Sequence, residues 1–279
     1  MVTKRQQMLD QIYSWRMGPV LVFAVKQAWA ALFGGLLLFA LVITKLIALP
    51  WLPRYDWLFL VAITIQIGML IFKLERPREV VTILVFHLVG LAMEIFKTSA
   101  LIGSWQYPGH AFFHVAGVPL FSGFMYAAVG SYIARSWRVL ELDFSNYPRR
   151  LFTVLLAAAI YINFFSHHFA PDLRWLLFII TTLLYARTTV TYRLHRVLHR
   201  MPILLAFVLI AFFVWLAENI GTMTKTWLYP SQLVHWHPVS LQKLGSWLLL
   251  MIISFIMIDL LHYLYSRHHH IGSKIPMLK

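Results

Sequence analysis

Glu94, then Trp105-Gln106-Tyr107-Pro108, then Val118-Pro119 and an apolar stretch: this passage recurs as Glu218, then Trp227-Leu228-Tyr229-Pro230, then Val239-Ser240 and a second apolar stretch. Trp, Tyr and Pro each return at an offset of 122 (105 to 227, 107 to 229, 108 to 230). The glutamates are 124 apart (94 to 218), so the first loop is two residues longer. A fixed order of uncommon residues at a fixed distance from an acid reads as an internal repeat. It predicts two carboxyl groups in equivalent positions.

The chain around these passages is 60% hydrophobic and 12% charged. That composition excludes an ordinary soluble domain and predicts an integral membrane protein. The first 18 residues are polar and basic, without the apolar run and small-residue site of a cleavable signal peptide. With no cysteine, disulfides, thiolate metal ligands and cysteine nucleophiles are excluded. A net charge of +14 would suggest nucleic acid for a soluble chain. Here the distribution of cations explains it, and no nucleic-acid partner is expected.

Apolar stretches fall at 27–52, 56–73, 80–96, 117–134, 151–168, 174–191, 202–219 and 243–264. They predict an all-α fold of eight transmembrane helices; a re-entrant turn around Pro171 would reduce the count to seven. The expected inner side carries Lys4, Arg5, Arg16, Lys73, Arg76, Arg78, Arg135, Arg138, Arg149, Arg150, Arg187, Arg193, Arg196, Arg200, Arg267, Lys274 and Lys279. The other side carries only Lys45, Arg54, Lys97, Arg174, Lys225 and Lys243. This bias predicts that both termini are cytoplasmic and that both Trp-x-Tyr-Pro loops face outward. The whole of 1–279 reads as one membrane domain. It is built from two four-helix repeats in the same orientation, about 20–140 and 145–266, a design whose sites commonly lie between the halves.

Besides Asp56 at the very start of the second stretch, three acids stand within the apolar stretches: Glu94, Glu218 and Asp259. A charge at the bilayer centre costs about 2.5–3.5 kcal/mol on insertion scales, so each is a candidate functional group. Glu94 and Glu218 read either as acid and base toward a buried substrate or as hydrogen-bond anchors for the outer loops. Asp259 reads as a partner for His262 or for an inner arginine. Trp105, Tyr107, Trp227 and Tyr229 read as the wall of a substrate site or as interfacial aromatics. Asn163, Asn219 and Lys243 are further candidate substrate contacts, and His167-His168 a candidate proton relay. His110, His114, His235 and His237 join that pair on the outer side. Their imidazoles suit zinc, copper or iron, with His110-x-x-x-His114 at helical spacing if Pro108 starts a helix. No metal site is assigned on this pattern, and the cofactor remains open. Gly34-Gly35 and Gly123 to Gly130 suit close helix approach.

Inner histidines at His195, His199 and His268-His269-His270 lack the H-x-x-H-H boxes of membrane di-iron enzymes. Arg193, Arg196 and Arg200 beside them suit lipid headgroups instead. Phosphate-loop, nucleophile-elbow and H-E-x-x-H signatures are absent, as is an aspartate-rich diphosphate motif.

Several stretches resemble a bacterial membrane family, domain of unknown function 817. They are Gly103-Ser104-Trp105-Gln106-Tyr107-Pro108, Val118 to Tyr126, Asn163-Phe164-Phe165-Ser166-His167-His168-Phe169, Ala217-Glu218-Asn219-Ile220-Gly221-Thr222 and Lys243-Leu244-Gly245-Ser246-Trp247. The resemblance spans nearly the whole chain and implies a multi-pass protein of the inner membrane. A fainter similarity links Glu94…Gly103-Ser104-Trp105-Gln106-Tyr107…Val118-Pro119 to carotenoid hydratases and small-subunit lycopene cyclases. The acids that follow proline in the cyclases are replaced here by Leu120-Phe121-Ser122.

Three functions follow as expectations. One is acid/base chemistry on a lipophilic, isoprenoid-like substrate near the outer face, with Glu94, Glu218, His167 and His168 as the reacting groups. The second is a transporter or binding protein for a small molecule or ion. The third is an accessory membrane protein without chemistry of its own. The bilayer and a lipophilic small molecule are the expected partners.

Overall fold

The computed structural model describes residues 13, 15–47 and 49–272, leaving aside the side chains of Arg78 and of residues 266–272. The expectations attached to Lys4, Arg5, Lys274, Lys279, Arg267 and His268–His270 fall outside what it describes. Helices dominate: α1 (Gly18–Ala30), α2 (Leu32–Leu46), α3 (Arg54–Ile71), α4 (Pro77–Thr98), α5 (Phe121–Val139), α6 (Arg150–Ser166), α7 (Arg174–Tyr185), α8 (Ile203–Met223) and α9 (Gln242–Gly272). Short strands add β1 (His114–Val115), β2 (Val118–Pro119), β3 (Asp143–Ser145), β4 (Thr189–Leu194) and β5 (Val197–Pro202). Strand β1 pairs with β2, and β3-β4-β5 form a three-stranded antiparallel sheet.

Four stretches are long and apolar enough to cross a bilayer: Arg54–Ile71, Glu79–Thr98, Ile203–Met223 and Gln242–Tyr265. The pair α1–α2 makes a fifth if its 72° bend lies within one span. Helices α6 and α7 are shorter, at 17 and 12 residues. Large apolar side chains stand outward, with Trp175 77%, Leu183 73% and Phe213 66% exposed. Outward apolar faces on helices this long point to a membrane protein.

Three sequence expectations are revised. The first apolar stretch, 27–52, is not one helix: the helix starts at Gly18, bends after Ala30 and ends at Leu46. The bend has an identifiable cause. The Arg135 guanidinium, fully buried, donates to the freed carbonyl of Trp29 at 2.6 Å and to Leu74 at 3.0 Å. A side chain inserted into the helix ladder kinks it, and a cation at a helix C-terminus is favourable there. The sixth stretch, 174–191, ends as helix at Tyr185 and continues as strand from Thr189, so the fold is not purely helical. Residues 189–202 are rich in β-branched and aromatic side chains, and Leu194 opposes Val197 across a two-residue turn in which His195 takes φ 51°. That is a hairpin signal which apolarity alone does not reveal. Finally, buried acids are more numerous than the three expected. Asp56 in α3 accepts from the amides of Phe112 and Phe113, both at 2.9 Å. Glu75 accepts from Gln66 and Ser131, and Glu79 pairs with Arg138 at 3.2 Å. Asp259 pairs with Arg150 at 3.3 Å, the inner-arginine alternative.

Helices α4 and α5 approach closely where glycine allows it. A Cβ on Gly123 would lie 2.8 Å from the His87 carbonyl, and one on Gly130 would lie 2.8 Å from the Phe86 ring. Around them Phe33, Ile83, Phe86, Phe207, Ile252 and Phe255 form the central core. Four connections gather at one end of the bundle. Arg54 at the start of α3 donates to the Thr224 carbonyl at 2.9 Å. Tyr55 donates to the Thr226 carbonyl at 2.7 Å, and Lys97 reaches His168 at 2.7 Å. The sheet β3-β4-β5 lies at the opposite end, past the other termini of α5, α7 and α8. Glu94, Glu218 and both Trp-x-Tyr-Pro loops therefore converge on one end, while Asp259 with Arg150 lies toward the other.

Candidate functional site

The glutamates are buried, Glu94 at 3% exposed near the end of α4 and Glu218 at 4% near the end of α8. Each is held by the Trp and Tyr of the loop that follows its own helix. Glu94 Oε2 accepts from the Trp105 indole at 2.7 Å and the Tyr107 hydroxyl at 2.8 Å. Glu218 Oε1 accepts from the Trp227 indole at 2.9 Å and the Tyr229 hydroxyl at 2.6 Å. The spacing thus has a physical meaning: the loop turns back so that two aromatic donors reach the carboxylate that precedes it. Burial, reinforced by the Glu94 carboxylate, holds the Tyr107 hydroxyl well above the usual phenol range. Burial and Glu218 do the same to Tyr229. Both phenols therefore stay protonated as donors.

The two loops also meet each other. Gln106 and Leu228, the middle residues of the two motifs, form an antiparallel bridge. The Gln106 amide donates to the Leu228 carbonyl at 2.9 Å, and the Leu228 amide donates to Gln106 at 3.0 Å. The rings of Trp105 and Tyr229 meet edge to face at 6.2 Å across this seam.

The equivalence stops at the second oxygen. Glu94 Oε1 accepts from Tyr126 of α5 at 2.8 Å, so both its oxygens are engaged. Tyr126 fits because residue 90, one turn before Glu94, is glycine; a Cβ there would lie 2.5 Å from the tyrosine ring. No hydrogen bond reaches Glu218 Oε2 among the described residues. Gly221 likewise admits the Trp227 ring, which would lie 2.0 Å from a Cβ at that position. The turn behind it closes through the Thr226 amide on the Gly221 carbonyl at 3.0 Å, with Lys225 at φ 54°.

Both glutamates line one cavity of about 930 Å³. Of the residues expected from the sequence, Trp105, Asn163, His167, His168, Trp227, Tyr229 and Lys243 line it too. Tyr107 and Asn219 do not. Tyr107 lies behind Glu94, stacked edge-on against Tyr55 and Phe121. Asn219 braces the loop, donating to the Trp215 carbonyl and accepting from the Val239 amide, both at 2.8 Å. Asn163 reaches the cavity with its amide already used, toward Asp172 at 3.1 Å and from the Leu173 amide at 2.9 Å.

Among the cavity residues to which the sequence reading gave no site role are Tyr126, Lys97 and Arg174. Lys97 lies three residues after Glu94 on α4, a spacing that places both on neighbouring faces. Its Nζ donates to His168 Nε2 at 2.7 Å and lies 4.1 Å from the centre of the Phe164 ring. His167 Nε2 stands 3.5 Å from it, while His167 Nδ1 meets the Asn163 carbonyl at 2.9 Å. Burial, then the nearby Lys97, His167 and Lys243, lowers the His168 imidazole below its usual range, which suits its role as acceptor. Asp172 pairs with Arg174 at 3.1 Å. The cost of its partial burial is outweighed by the Asn163 amide, the Arg174 backbone N–H and the Arg174 guanidinium, which hold its carboxyl below the usual range.

The residues before His114 are not helical, so the spacing of His110 and His114 is not that of a helical metal pair. Among the described residues, no three His, Asp or Glu side chains gather as a metal ion requires.

A family model described as "Protein of unknown function (DUF817)" matches residues 19–255. The chain belongs to the DUF817 family. It is 45% identical over 236 residues to a Bacillus subtilis (strain 168) protein described as "Uncharacterized protein YoaT", covering 85% of this chain and 89% of that one. No solved structure matches. The comparisons thus support the first resemblance drawn from the sequence and do not show the one to carotenoid hydratases.

Proposed function

We propose that this DUF817 protein binds a lipophilic, isoprenoid-like molecule in the cavity between its two halves and moves a proton to or from it with Glu218. The observation that carries this reading is the free Oε2 of Glu218 in a largely apolar cavity. Glu94, with three donors on two oxygens, serves as an anchor that fixes the first loop. As an acid, Glu218 would protonate a carbon–carbon double bond. The π-faces of Trp105, Trp227 and Tyr229 would stabilise the resulting cation. Loss of a neighbouring proton to the returned carboxylate completes an isomerisation; addition of water, with loss of its proton, completes a hydration.

This reading places the chain in the bacterial inner membrane with both termini in the cytoplasm and eight crossings. With α1 and α2 counted as one bent span, α1–α5 and α6–α9 would form parallel halves of four spans each, about 20–140 and 145–266. The charge bias supports the orientation, and the paired Trp-x-Tyr-Pro loops support the duplication. The test is the lipid that co-purifies with the protein, incubated in deuterated water and weighed by mass spectrometry. Wild type should add deuterium or water to it, and Glu218→Gln should not. An unchanged mass with wild type would remove the enzyme reading.

One feature favours a second reading, movement of the lipophile across the membrane. The cavity also touches Tyr192 and Met201 at the sheet end of the bundle. Flux of the co-purified lipid in proteoliposomes, undiminished in Glu218→Gln, would favour transport.

A further inference from the structure

The cavity has unlike ends. Along α5 its lining runs from Tyr126 to Ser136, and along α8 from Glu218 back to Ala206. At 1.5 Å per residue these stretches make the cavity roughly 15–18 Å long. The body between them is walled by glycine, alanine and branched apolar side chains. Its volume of about 930 Å³ lies toward the upper end of known ligand sites.

Cations crowd the end beside the glutamates. Lys97, Lys243 and Arg174 all line it, and Lys97 lies within electrostatic reach of the other two. Among the described residues, the only ion pair made by these three is Arg174 with Asp172. Lys97, 3% exposed, is held by His168 and the Phe164 ring rather than by an acid. Lys243 faces Glu218 without closing an ion pair with it, and its Nζ sits 4.4 Å from the centre of the Tyr229 ring. Glu94 and Glu218 share this end but neither closes an ion pair with Lys97 or Lys243 among the described residues, so a bound anion would give these two ammonium groups a partner. Guanidinium and ammonium groups together are the usual means of holding phosphate.

Resting on the lipophile-binding reading above, we infer that the occupant is a lipid phosphate. Its apolar part lies along α5 and α8, and its phosphate sits among Lys97, Lys243 and Arg174. His167 and His168 flank the headgroup, and the nearest carbons of the chain come under Glu218.

The test uses the full chain in neutral detergent and three probes: dodecyl phosphate, dodecanol and inorganic phosphate. Dodecyl phosphate should bind at least tenfold more tightly than dodecanol, and inorganic phosphate should not compete with it. The double variant Lys97→Gln/Lys243→Gln should lose that tenfold while keeping the affinity for dodecanol, which shows that the cavity is still folded. Equal affinity for dodecanol and dodecyl phosphate would overturn the headgroup and leave the lipophilic cavity standing. Competition by inorganic phosphate alone would overturn the lipid. Failure of both alkyl probes to bind would overturn the cavity reading itself.

Discussion

The two Trp-x-Tyr-Pro loops present the same donors to the same acid, yet the acids end in different states. Glu94 is closed on both oxygens by Trp105, Tyr107 and Tyr126. Glu218 is closed on one, by Trp227 and Tyr229. The difference comes from outside the motif. Tyr126 belongs to α5, and the residue at the corresponding offset in α9 is Leu248. A motif can therefore fix where a carboxylate sits while a neighbouring helix decides whether it is available.

The largest expected effect breaks the pair apart. Glu218→Gln should lower turnover of the co-purified lipid by about 10²–10⁴-fold, the range of a lost acid/base group, with a smaller fall in melting temperature than at Glu94, since two donors rather than three lose a charged acceptor. Glu94→Gln should do the reverse, keeping most turnover while lowering stability. Hydrogen bonds to a charged acceptor contribute about 1.5–3 kcal/mol each, and all three would weaken. Equal losses of turnover in the two variants would end the distinction between anchor and reactive group.

Next in size are the glycines that admit the donors. Gly221→Ala drives a methyl into the Trp227 ring, and Gly90→Ala drives one into Tyr126. Overpacking of this kind costs about 1–3 kcal/mol, which thermal unfolding in detergent would register. Only Gly221→Ala should also lower turnover, because Trp227 orients the reactive carboxylate. Tyr126→Phe should cost about 1.5–3 kcal/mol and free Glu94 Oε1, making the first acid resemble the second. If Tyr126→Phe leaves the melting curve in place, the third donor does not distinguish the loops.

A cross-link sharpens the comparison at almost no cost in stability. Gln106→Cys with Leu228→Cys, in a chain that otherwise has no cysteine, should form a disulfide on mild oxidation. A hydrogen-bonded antiparallel pair holds its Cα atoms about 5.5 Å apart, within the reach of a disulfide. A mobility shift after proteolysis between the halves would report it, and its absence would count against the seam. The smallest effect concerns pH. His168 is held below its usual range, so the stability it allows is present above about pH 6.5 and is lost as acid charges it against Lys97, His167 and Lys243. His168→Gln should flatten the fall in melting temperature between about pH 6.5 and pH 5.

Much of this was legible in the chain because glutamate, tryptophan and tyrosine keep a fixed distance within each motif. That spacing reflects a contact closed by a single loop. What escaped depends on partners far away in sequence. The bend after Ala30 has no proline to announce it; its cause is Arg135, about a hundred residues on. The hairpin at 189–202 was hidden because apolar content ran past Tyr185 while its periodicity changed. Lys97 was read as one more outward cation, since nothing local shows that His168 and Phe164 enclose it.

The seam between the loops is made of main-chain atoms alone: an amide and a carbonyl from residue 106 and the same from residue 228. Such a joint makes no demand on the side chains attached to it, and glutamine faces leucine there without penalty. Two loops held together in this way are free to differ in side chains at their point of contact. One can close both oxygens of its acid while the other leaves one open, and the joint between them survives the difference.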